Sequence, residues 1–126
     1  IPHRIPYLEV QQILRESDGA MVIGSVEPHY SASKLFQCLI TAPRVFGFFH
    51  RDSEGNDILN RCQAKDFFVP YHADLTEEEL MVNLSDKISS FVDPTHEWTA
   101  NLKPLEEHST ENNARKFLQE VERVIA

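Results

Sequence analysis

The chain has 126 residues, enough for one domain with a single core, and 41% of them are apolar, so it needs no disulfide or metal staple to fold. Its formal net charge of −8 argues against nucleic acid or an anionic membrane as the main partner. No apolar run is long enough to span a bilayer, no signal peptide opens the chain, and its 6 histidines are scattered without a pair at zinc spacing.

The opening run Ile1-Pro2-His3-Arg4-Ile5-Pro6 reads as the end of one element leading into the next, so the chain is expected to be a piece of a longer protein. Residues 7–17 then read as a helix whose inner stripe is Tyr7, Val10, Ile13 and Leu14. Pro6 suits the start of that helix, and Asp18-Gly19 ends it. Residues 20–23 are a short apolar run closed by Gly24 and Ser25, and they are expected to form a strand. After a polar turn, Ala32, Leu35, Phe36, Leu39 and Ile40 recur at helical spacing, and Pro43 stops the helix. Residues 45–49 form a second apolar run. Strand, crossover helix and strand of this size make a βαβ unit, whose crossover is right-handed.

The chain turns polar at His50, Arg51, Asp52, Ser53, Glu54 and Gly55. A short helix is expected over residues 56–63, with Ile58, Leu59 and Cys62 inward, then a third strand over 66–69 ended by Pro70. Thr76 and Glu79 are spaced as a capping box for the next helix, along which Leu80, Met81, Leu84, Ile88 and Phe91 keep the inward period. Asn83-Leu84-Ser85 fits the glycosylation triplet but falls inside that helix, and reads as chance. Residues 92–109, with Pro94, Trp98 and Pro104, are expected to be irregular but packed over the domain. Ser109 or Thr110 caps a last helix over residues 110–126, with Ala114, Phe117, Leu118, Val121, Val124 and Ile125 inward.

Short apolar strands alternating with helices predict one α/β domain, a three-layer Rossmann-like fold whose mostly parallel sheet is covered on both faces. Only three strands are visible, fewer than a doubly wound domain normally has, so its start is expected to be missing. Cys38 and Cys62 show no disulfide framework, which points to a reducing compartment and a cytoplasmic location.

The turn after the first strand is where chemistry is expected. Ser31 is a good N-cap, and the amides of Ser33 and Lys34 would face outward with the positive end of the helix dipole, an arrangement suited to phosphate. Such turns lie at the carboxyl ends of parallel strands, where ligands bind in open α/β sheets. The same edge collects Glu27 and His29, then His50, Arg51 and Glu54, then Tyr71 and His72. Loop ends are polar in any case, so this gathering has a bland reading beside the functional one. Lys34 either reaches a phosphate or lies solvated. Cys38 and Trp98 read as packing residues, and Arg44 as solvent-facing.

Arg4-Ile5-Pro6-Tyr7, Ser17-Asp18-Gly19-Ala20, Val22-Ile23-Gly24-Ser25 and the run from Ser31 to Leu39 together resemble the carboxyl-terminal domain of GT-B glycosyltransferases. The nearest likeness is to the retaining, family-4-like bacterial sugar transferases (glycosyl transferases group 1), and it covers most of the chain from Arg4 to about Phe91. The resemblance implies an enzyme domain that binds a nucleotide-diphosphate sugar, such as a UDP-sugar, and transfers the sugar with retention. It places Arg4 and Ile5 beside the nucleobase, and Glu27, His29, Ser31, Ala32, Ser33 and Lys34 at the diphosphate and sugar. It implies no metal ion and no cofactor, because the helix start and basic side chains neutralise the leaving diphosphate. It also implies an amino-terminal acceptor domain as partner, toward which the last helix returns, so that this piece alone does not turn over. Peripheral membrane association of the intact protein is compatible with it.

Two departures bear on this likeness. Family members often carry two glutamates eight positions apart around the turn, and here those places are His29 and Gln37. Gln37 can hydrogen-bond a ribose, but without charge. A Gly-Lys-Pro common after the helix reads Ala42-Pro43-Arg44. A degenerate, non-catalytic domain acting in protein interaction through Trp98 and the last helix is the alternative. A flavodoxin-like or receiver-like domain ranks lower, because Asp18 precedes its strand.

Overall fold

The computed structural model describes residues 3–25, Glu27 and residues 33–125. In chain order the elements are α1 (Tyr7–Glu16), β1 (Ala20–Ile23), α2 (Ser33–Thr41), β2 (Val45–His50), α3 (Glu54–Arg61), β3 (Phe68–Tyr71), α4 (Glu77–Val92), a 3-10 turn (Lys103–His108) and α5 (Thr110–Ile125). The three strands lie in the order β1-β2-β3, all parallel, with Ile23 paired to Phe48 and His50 to Tyr71. Helices cover both faces. The domain is therefore the expected α/β layering, with a wholly parallel sheet among the described residues.

Each face has its own apolar cluster, because successive strand residues point to opposite sides. Ala20, Val22, Val45, Phe49 and Phe68 pack against Leu35, Cys38 and Leu39 of α2 and Ile58 and Leu59 of α3. Phe46, Phe67 and Val69 pack on the other face against Leu80, Leu84 and Phe91 of α4. The Phe91 ring meets Phe46 and Phe67 edge-on, at 5.7 and 5.4 Å between centroids. A helix is about 10 Å wide and strands are spaced by about 4.8 Å, so one helix covers two strands. α4 accordingly leaves β1 bare on that face, with Met21 55% and Ile23 64% exposed.

Local signals explain most helix ends. Thr76 accepts from the Glu79 amide at 3.2 Å, and its own amide donates to the Glu79 carboxylate at 2.9 Å, completing the expected capping box. The Thr76 amide and the Thr76 hydroxyl, each donating to the Glu79 carboxylate at 2.9 Å, hold the Glu79 carboxyl below its usual range. α3 begins two residues earlier than expected, because Ser53 caps it by accepting from the Asn56 amide at 3.3 Å. It ends in a Schellman motif. Gln63 donates to Asn60 at 3.1 Å and Ala64 to Leu59 at 2.9 Å, with Gln63 held at φ 53°. Ser109 is the cap of α5, accepting from the Asn112 amide at 3.2 Å.

Several inward assignments are corrected. In α1 no residue is buried, and Tyr7 and Ile13 are exposed; only Leu14 packs on the core. In α4, Met81 and Ile88 face solvent for the reason just given. α5 has no buried residue, with Phe117 68% and Ile125 80% exposed, because it packs mainly against the short 3-10 turn. β3 runs two residues later than expected and includes Pro70. Gly47 donates to Phe67 and Arg51 to Tyr71, each at 3.0 Å, so the missing amide of Pro70 falls on the open edge, where it costs no ladder bond. The 92–109 segment is packed as expected: Leu105 is buried, and Trp98 and Ala100 lie half-buried on the core.

Arg44 is not solvent-facing. Its guanidinium donates to the carbonyls of Phe91 at 2.9 Å, Asp93 at 2.8 Å and His96 at 3.0 Å, and lies 5.6 Å from the Phe67 ring centroid. It pins the end of α4 and the following segment to the amino-terminal edge of the sheet. Gly19 lets this happen: a Cβ there would lie 2.6 Å from the Phe91 ring and 2.7 Å from the Arg44 side chain.

Candidate functional site at the carboxyl edge of the sheet

All three strands end on one edge, and a row of residues lies level along it. Ile23 is paired with Phe48, so two residues further on Ser25 falls level with His50, which is itself paired with Tyr71. The row is locked by Tyr71. Its hydroxyl donates to the Ser25 carbonyl, reaching past β2 to the point where the chain leaves β1. Burial pushes the Tyr71 phenol up, and the His50 main-chain amide beside it pulls partly back. The Phe48 ring lies under Tyr71, at 4.6 Å between centroids.

His50 is held with similar definition. Its Nδ1 accepts from the Asp52 amide at 3.2 Å, and its ring meets Tyr71 nearly at right angles, at 5.8 Å. An imidazole whose Nδ1 accepts an amide proton carries its own proton on Nε2 when neutral. That tautomer is assigned from the amide geometry. The Asp52 carboxylate stands 3.9 Å from Nδ1 and 3.6 Å from Arg51 Nε, so Arg51 already has an anionic neighbour. A polar hollow of about 280 Å³ opens beside them, with Ser53, Asn56 and Lys65 among its walls. His72, next along β3's end, sits 3.7 Å from Asp74.

The expected donor-site residues fall into three groups. His29, Ser31 and Ala32 lie outside the described residues. Glu27, Ser33 and Lys34 are exposed: Glu27 donates its amide to Ser25 Oγ at 3.2 Å, and Ser33 and Lys34 open α2. Gln37 is half-buried, and lines a groove of about 840 Å³ with Phe36, Leu105 and His108. Arg4 is exposed and Ile5 half-buried ahead of α1. Thus the structure brings Ser25, His50, Arg51 and Tyr71 together on the rim, while Gln37 sits where α2 meets the 3-10 turn. Tyr71 as the clamp was not legible beforehand, because its hydroxyl bond spans 46 positions.

Cys38 and Cys62 are buried and free, and burial pushes both thiols up, as suits core residues. No group of three or more metal-ligating side chains gathers among the described residues. No described helix is long and apolar enough to cross a membrane. A hollow of about 930 Å³ lies at the opposite, amino-terminal edge around Asp18, Arg44 and Trp98, where the Arg44 guanidinium is already spent on carbonyls.

Fold and rim define a layered α/β domain with a polar carboxyl edge, the place where parallel sheets take ligands. No protein-family model, curated protein or solved structure matches the chain at a significant level.

Proposed function

We propose that this domain binds the nucleotide-diphosphate sugar donor of a glycosyltransferase at the carboxyl edge of its sheet. The sugar then passes to an acceptor held by a further, amino-terminal domain, in the cytoplasm. One observation carries this reading: α2, the next element after β1, opens at exposed Ser33 and Lys34. A helix start and a lysine there suit a pyrophosphate, because first-turn amides and a cation both favour an anion. The ordered resemblance in sequence narrows the anion to a nucleotide-sugar. Transfer needs no residue of this domain to be consumed. The domain's part is to hold the diphosphate as it takes up the charge of the breaking sugar–oxygen bond.

Calorimetric or NMR titration of the protein with UDP, GDP and their sugar conjugates tests the proposal. Saturable binding that shifts the resonances of Ser33 and Lys34 is the expected result. Indifference to every nucleotide sugar overturns it.

A second reading, a non-catalytic interaction module, is favoured by the bare apolar face of α5. It requires a defined oligomer or complex in ultracentrifugation and no nucleotide binding.

A further inference from the structure

We infer that α5 pairs with α5 of a second copy of this chain, antiparallel, about a two-fold axis at Leu118. This stands apart from the donor-site reading above. At about 100° per residue, Ala114, Phe117, Leu118, Val121, Val124 and Ile125 fall within about 120° of the α5 circumference, the width of a face that packs on something. Val121 is half-buried and the other five are exposed. α5 has 16 residues, and inside the domain it packs mainly against the 3-10 turn at its own start. Helices of this length draw most of their stability from covering the apolar face, so α5 lacks a partner along most of its run.

Charge chooses that partner and its direction. Lys116 and Glu120 stand on one flank of the stripe, Arg115 and Glu122 on the other. In an antiparallel two-fold pair each flank meets the same flank of the other copy, run in reverse. With Leu118 on the axis, Lys116 comes level with Glu120 of the second copy. Arg115 comes within one residue's rise, about 1.5 Å, of Glu122 of the second copy. Symmetry doubles both, giving four contacts of opposite charge. A parallel pair brings opposite flanks together instead, with Lys116 beside Arg115 and Glu120 beside Glu122, like against like. The stripe is therefore complementary to itself in reverse. The present neighbours of these groups do not compete strongly: Arg115 meets Glu111 at 3.1 Å and Glu120 meets Arg123 at 3.7 Å, and both pairs are exposed. One helix a side is a small contact, so the dimer is weak and depends on concentration.

Sedimentation equilibrium of the protein from micromolar to millimolar concentration is expected to show monomer and dimer and no larger species, since a two-fold pair closes. Leu118→Asp is expected to leave only monomer. Its thermal melt should match that of dilute wild type, because α5 adds no buried residue to the core. Arg115→Glu and Glu122→Arg should each weaken the dimer about tenfold. The double variant, and an equimolar mixture of the two single variants, should dimerise as wild type does. Residues 115 and 122 lie about 10 Å apart along one helix, too far to pair within it, so recovery must come from another copy. A monomer at every concentration overturns the pairing. So does a dimer that Leu118→Asp leaves intact, one that Arg115→Glu leaves unchanged or tightens, or a double variant as weak as the single ones.

Discussion

Replacing Arg44 by Met should be among the most damaging single changes at the surface of this domain. Met keeps the aliphatic stem over Phe67 but removes three donors, and so strands the carbonyls of Phe91, Asp93 and His96. A hydrogen bond to a charged group contributes roughly 1.5–3 kcal/mol, and less where water reaches it. Two of the three bonds are partly buried and the third is exposed, so about 3–4 kcal/mol is expected for the set. That is a large share of the roughly 5–15 kcal/mol that holds a domain together. Lys at the same place restores one point charge without the fork, and should recover only about a third of the loss. Trp98 is the only tryptophan and packs in the segment that Arg44 pins, so its fluorescence reports the local change while circular dichroism reports the whole. Urea melts followed by both probes should show a lower midpoint for Arg44→Met, with Trp98 released first. A loss below about 1 kcal/mol with coincident transitions would refute the clamp, since that is what one exposed hydrogen bond contributes.

Gln63→Gly should stabilise the domain by about 0.5–1 kcal/mol, because Gln63 sits at φ 53° in the Schellman turn, where a Cβ is strained; an unchanged urea midpoint would contradict this. Thr76→Ala should cost about 1 kcal/mol and fray the first turn of α4, seen as faster amide exchange at residues 77–80. Tyr71→Phe should cost about 1 kcal/mol near pH 8 and loosen the start of the β1–α2 turn, read as exchange at Glu27. The folded state holds the Tyr71 phenol above its ordinary value, so its contribution is complete below about pH 10 and is lost as pH rises through the folded pKa. Wild type should therefore lose stability more steeply than Tyr71→Phe between about pH 10 and 12, and parallel curves from urea melts would sink that assignment.

The candidate site was only partly readable from residue order. The rim residues His50, Arg51, Tyr71 and His72 follow from strand ends, since parallel strands share one carboxyl edge. What they do there does not follow. The Tyr71 bond to Ser25 and the Asp52 amide on His50 depend on which strands are neighbours and on their register. His29, Ser31 and Ala32, expected at the diphosphate, fall outside the described residues.

Residue order by itself determined the alternation of helices and strands, the capping box at Thr76, the Gly24 and Pro43 stops and the βαβ arrangement. These depend on contacts within one or two turns, or on backbone limits that a residue carries wherever it is placed. Tertiary structure decided which apolar residues found a partner. Leu80, Leu84 and Phe91 are covered because α4 spans β2 and β3, while Met21, Ile23, Met81 and, on α5, Phe117, Leu118, Val124 and Ile125 are not. Periodicity states that a helix has an apolar side; only the width of the layers and the order of the strands state what lies against it.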